Sequence, residues 1–141
     1  MGILNVTPDS FYDGGNFDDE NKALEHAKNM SSHGADIIDV GGESTKPNAE
    51  YVSDKEETNR VLRIIKELSK EGYLVSADTR KHSVMEKAID NGAKIINDIS
   101  GMSDPLTPSL ISKSLLGWLF MGFNILGFNQ TRPCVKTVFG I

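Results

Sequence analysis

Four short apolar runs, spaced by segments of helical period, limit this chain to few folds. The runs are GILNV (2–6), ADIIDV (35–40), YLVSAD (73–78) and AKIINDIS (93–100). Each is apolar almost throughout, as parallel strands covered on both faces should be. Between the first two, Ala23, Leu24, Ala27 and Met30 recur at helical spacing over 21–33. Asp18, Asp19 and Glu20 stand near that start, where the helix dipole favours acids. Val61, Leu62, Ile64, Ile65 and Leu68 mark a longer helix over 54–71, opened by Ser53 as N-cap with Glu56 three residues on. Val84, Met85, Ala88 and Ile89 mark a short helix over 81–92. Gly34, Gly72 and Gly92 stop the three helices. The order is repeated βα in the α/β class, either an open doubly wound sheet or a (β/α)8 barrel.

Charge divides the chain. All 20 Asp and Glu fall within residues 1–104, and the 37 residues from Pro105 onward hold none. This reads as two sources of sequence meeting near Pro105: residues 1–105, and a tail of 106–141. The tail's apolar stretch, 110–128, has the length of a membrane span. Lys113 and Asn124 interrupt it, and Gly117, Gly122 and Gly127 break it. A helix against the sheet, or sequence translated out of frame, fits it better. The net charge of -5 argues against a nucleic-acid surface. Cys134 is the single cysteine, so no internal disulfide forms. No basic-plus-apolar leader precedes the first run, and the expectation is a cytoplasmic protein away from membranes.

Every strand delivers Asn or Asp to its carboxyl end: Asn5, then Asp39 running into Glu43, Ser44 and Thr45, then Asp78, then Asn97 and Asp98. Parallel α/β folds build their sites at that edge. Each residue taken singly has a plainer reading as a turn former or helix cap, but four in register describe a convergent polar site. GGEST after the second strand offers backbone N–H groups and hydroxyls to an anion such as phosphate. The three histidines fall at exposed-looking helical positions, and no Cys/His cluster has metal spacing. Arg80-Lys81-His82 reads as a solvated face or as a contact to an anionic substrate.

The strings MGILNVTPDSF, DGG, DVGGEST with a following base and Pro, ADTRK and INDISG, in this order and spacing, resemble dihydropteroate synthase over about residues 1–105. The resemblance implies a (β/α)8 barrel with about the first four βα units present. It implies condensation of 6-hydroxymethyl-7,8-dihydropterin diphosphate with 4-aminobenzoate, giving dihydropteroate and pyrophosphate. Sulfonamides mimic the aminobenzoate. Mg2+ would assist the leaving diphosphate. By position, Asn5 would touch metal and diphosphate, and Thr45 the diphosphate. Asp78 and Asn97 would bond the pterin edge, with Asp39 in the same pocket. Asp9, Phe11 and Asp13, on the first loop, would shape the second substrate's site. Lys46 and Pro47 belong to the second loop, and Lys46 stands where the family usually has Arg. A homodimer is also implied.

Eight strands make such a barrel, and only four are evident here, so a fragment with little turnover alone is expected. A pterin-binding methyltransferase domain is a rival, although it has no diphosphate for the NVTPDSF loop to help expel. A non-catalytic half-barrel that dimerises to close its sheet is another.

Overall fold

A computed structural model describes residues 1–7, 17–44, 49–113, 117–121 and 135–138. Strand β1 (Gly2–Asn5) is followed by α1 (Phe17–Ser32), β2 (Ile37–Gly41), α2 (Asp54–Lys70), β3 (Leu74–Asp78), α3 (His82–Asp90) and β4 (Ile95–Asn97). Helix α4 (Thr107–Lys113), β5 (Gly117–Met121) and β6 (Val135–Val138) complete the described elements. One sheet holds all six strands in chain order; β1 to β5 run parallel, and β6 is antiparallel to β5.

The placement of the core decides between the two architectures the sequence left open. Leu4, Ile38, Val40, Val75, Ala77 and Ile96, from alternate strand positions, share one buried cluster with residues of α1, α2 and α3. All three helices therefore pack on the same face of the sheet. A doubly wound sheet would carry helices on both. The opposite face keeps Ile3 57% and Leu74 41% exposed, which departs from strands covered on both sides. A sheet clad on one face, with sequential parallel strands, is the wall of a (β/α)8 barrel.

The three βα units end alike. Gly34, Gly72 and Gly92 take φ of 98°, 88° and 104°, a region open to glycine at little cost. The next residue donates back into the last turn: Ala35 to Met30, Tyr73 to Leu68, Ala93 to Ala88. This is the Schellman closure, and it satisfies helix carbonyls that would otherwise be orphaned. At the other end of α2, the Ser53 hydroxyl accepts the Glu56 N–H at 3.2 Å. Ser53→Ala is expected to cost about 1 kcal/mol, read as a fall of a few degrees in the thermal midpoint; an unchanged midpoint would discard the cap.

Several boundaries differ from expectation. Helix α1 begins four residues earlier, so Asp18, Asp19 and Glu20 form its first turn. Strand β4 keeps only three of eight expected residues. The Asp98 carboxylate turns the chain by accepting from Ser100 N and Oγ at 2.8 and 2.7 Å and from Met102 N at 2.8 Å. Beyond Pro105 the apolar run 110–128 contains the end of α4 and then β5, which pairs Ile95 with Gly117 and Asn97 with Leu119. The run therefore supplies a fifth parallel strand. No helix among the described residues is long and apolar enough to cross a membrane.

Candidate active site

Strand register stacks the polar residues in two layers. The outer layer, at the carboxyl ends, reads Asn5, Gly41, Asp78, Asn97 across β1 to β4. The layer beneath reads Ile3, Asp39, Ser76, Ile95. Both occupy the face that carries no helix, since alternate residues of the same strands form the core. Strand β2 runs on to Gly41, so Asp39 lies one layer deeper than the other three. The glycine lets Asp78 pack close: a Cβ there would crowd Asp78 Oδ2 at 3.3 Å.

Asp39 and Asn97 are buried and paired, Asn97 Nδ2 donating to Asp39 Oδ2 at 2.9 Å. Asp39 Oδ1, Asn97 Oδ1 and the Ser76 hydroxyl are buried without a well-aligned partner among the described residues, although Ser76 stands close enough to Asp39 to favour its charged form. Unsatisfied buried acceptors cost stability, so these atoms suit a ligand that brings donors. Ser76 was missed in the sequence; its position two before Asp78, on the same strand face, was the signal. Burial raises the Asp39 carboxyl above its ordinary range, opposed in part by the neighbouring Ser76 hydroxyl and then by the hydrogen bond from Asn97. Asp78 is pushed up to about 7, first by burial and then by the charges of Asp39, Glu57, Asp98 and Glu43. Near neutrality this carboxyl therefore exists as both acceptor and donor.

A pocket of about 300 Å³ opens beside Asp78, between the ends of β2 and β3 and the segment before α2. Glu43, Ser44, Tyr51, Thr79 and Arg80 are among its lining residues. Arg80 forks onto Glu43, Nε to Oε2 at 3.1 Å and Nη2 to Oε1 at 3.2 Å. Burial alone would raise the Glu43 carboxyl. Arg80, the Val52 amide and Lys81 outweigh it and hold Glu43 below its ordinary range. The basic cluster is not a uniformly solvated face: Arg80 is half exposed, but Lys81 is buried against the wholly buried Glu57. His82 is half-buried too, and its Nδ1 is wholly buried. No local pattern marks Glu57 and Lys81, because a pair 24 residues apart leaves no periodicity.

Of the residues assigned by resemblance, Asn5, Asp39, Asp78 and Asn97 come together at this edge, with Asn5 exposed to solvent. Asp9, Phe11, Asp13, Thr45, Lys46 and Pro47 lie outside the described residues. No group of three or more His, Cys, Asp or Glu among the described residues could hold a metal. The Asn5 side chain offers one hard oxygen. That fits Mg2+ only as part of a shell completed by water and substrate oxygens, the way this ion is commonly held.

A model of the family described as "Pterin binding enzyme" matches residues 1–138. The chain is 55% identical over 115 residues to dihydropteroate synthase of Bacillus subtilis strain 168, covering 80% of this chain and 40% of that protein. It is 39% identical over 134 residues to dihydropteroate synthase of Mycobacterium leprae, covering 94% and 46%. The crystal structure of dihydropteroate synthase from Clostridium difficile in the presence of pteroic acid superposes with a TM-score of 0.79 at 47% identity, covering 84% of this chain and 46% of that one. The chain thus spans less than half the length of these relatives. With its fold, its polar strand ends and its sequence all in agreement, the chain belongs to the pterin binding enzyme family.

Proposed function

We propose that this chain carries the pterin-recognising part of a dihydropteroate synthase site, for condensation of 6-hydroxymethyl-7,8-dihydropterin diphosphate with 4-aminobenzoate. The observation that carries the reading is the buried Asp39–Asn97 pair, with an unpartnered oxygen on each side chain, next to Asp78. A pterin is a flat ring edged with donors and acceptors. Buried carboxylates and amides that lack partners accept such an edge and reject rings that cannot supply it. Asp78, titrating near 7, meets a ring donor as carboxylate or a ring acceptor as acid.

Asn5 ends β1 at the same edge, where the leaving diphosphate would sit with Thr45. Mg2+, held in part by the Asn5 oxygen, would stabilise negative charge on the leaving group. The aminobenzoate amine is nucleophilic enough to need no protein base. Asp9, Phe11 and Asp13 would shape its site, and Lys46 and Pro47 the neighbouring loop. Lys46 supplies charge without the planar fork of Arg. Residues 1–105 would be the working part and 106–141 a tail of different composition. Because the chain spans less than half the length of its relatives, these 141 residues tested alone are expected to bind pterin and turn over little.

Calorimetric titration with 6-hydroxymethylpterin tests the reading. The chain should bind it, and Asn97→Ala should weaken binding about tenfold or more, the scale of one lost buried hydrogen-bonding group. Absence of binding, or an Asn97→Ala variant that binds equally well, overturns it.

A further inference from the structure

Lys81 belongs to the basic cluster that the proposed reaction leaves without a role. Its ammonium has three donors, and three acceptors surround it. Val52 O lies at 2.6 Å, Glu57 Oε2 at 2.5 Å and Glu43 Oε2 at 3.2 Å. The Tyr51 ring lies beside it, its centroid 5.0 Å away. Glu43 in turn accepts the Val52 N–H at 3.3 Å. Both backbone polar groups of Val52 are therefore tied into one ionic cluster, the carbonyl to Lys81 and the amide to Glu43.

The cluster joins segments that are separate in sequence. Glu43 follows directly on β2, Val52 leads into α2, Glu57 is in the first turns of α2, and Lys81 precedes α3. A buried lysine is costly unless paired, and apolar side chains of similar volume often serve stability as well or better. A Lys with all three donors occupied at a site's rim is thus explained by where it holds the chain.

We propose that Lys81 is a positioning residue: it fixes Glu43 and Val52, and through Glu43 the half-exposed Arg80, at the rim of the pocket beside Asp78, and thereby sets the site's capacity for an anionic leaving group. The second half of this statement rests on the function proposed above, with Arg80 as the cation that Glu43 holds in the pocket lining.

Amide exchange followed by NMR on the 141-residue chain, together with two ligand titrations, tests it. In Lys81→Met the Val52 amide should exchange about tenfold faster or more, while amides of Val75 and Ile96 in the core strands keep their protection. Affinity for the pterin diphosphate should fall about tenfold, and affinity for 6-hydroxymethylpterin, which lacks the diphosphate, should stay within about twofold. Equal weakening of both ligands, or unchanged exchange at Val52, overturns the proposal. If Lys81→Met does not fold, Lys81→Arg decides: the charge stays but the three-way geometry does not. Loss of Val52 protection and of the diphosphate preference in that variant supports the role, and retention of both overturns it. A wild-type chain that binds neither ligand overturns the proposed function. Val52 exchange then still decides whether Lys81 holds the rim.

Discussion

Asp78→Asn should raise the unfolding free energy at pH 8 and leave it nearly unchanged at pH 4. The sign follows from proton binding. The Asp78 carboxyl has a folded-state pKa of about 7 against an ordinary value of 3.8, with burial as the leading cause. Between those two values the native state binds more protons than the unfolded state, so stability falls as pH rises. The favourable contribution is complete below about 3.8 and lost as pH climbs through 7. At pH 8 the ionised carboxylate costs at most about 4 kcal/mol at 1.36 kcal/mol per pKa unit. Asparagine is nearly isosteric and uncharged, so it removes that cost at high pH and little at low pH. Urea unfolding of both chains at pH 4, 6 and 8 reads the difference directly. Parallel pH profiles for the two would exclude the assignment. The same substitution should weaken pterin binding, so a chain stabilised and disabled by one atom's exchange is the expected combination.

The second large effect concerns Glu57, which is wholly buried and meets Lys81 at 2.5 Å. Glu57→Leu removes one member of a buried ion pair and leaves a buried ammonium with weaker compensation. Such single removals typically cost about 3–5 kcal/mol. The double substitution Glu57→Leu with Lys81→Met should recover much of the loss. Charges that act as a unit give a coupling of about 0.5–3 kcal/mol in a double-mutant cycle. Denaturant unfolding of the two single variants and the double variant measures that coupling. Strict additivity would mean that the two charges are held independently. Recovery of stability without recovery of diphosphate binding would separate the packing role of the cluster from its positioning role.

The parts of this fold legible in sequence are those with local causes. Gly34, Gly72 and Gly92 announced the helix stops because a left-handed residue there needs glycine. Asn5, Asp78 and Asn97 announced the site because strands of a parallel sheet present their carboxyl ends together. What stayed hidden depends on partners distant in sequence. Asp39 looked like a rim residue, but β2 continues two residues further and lowers it to the second layer, where it meets Asn97 across 58 residues of chain. Lys81 read as a solvated charge or a contact to an anionic substrate, because its acceptors Glu43, Val52 and Glu57 are all distant in sequence. Strand β5 lay in a run broken by glycines, where neither the helical nor the strand period is clean. The one-sided distribution of helices was invisible as well, since apolar strands read alike whichever face is clad.

The sheet order matters before the protein is finished. Each strand lies beside its neighbour in the chain, so no strand from β1 to β5 awaits a distant partner to begin pairing. At a ribosome adding about 5–20 residues per second, a βα unit of this kind takes seconds to emerge. Strand pairing and helix docking are commonly faster than that. The amino-terminal units can therefore settle against one another while the remainder is still being translated. Each newly made strand then finds a ready template in the one synthesised just before it.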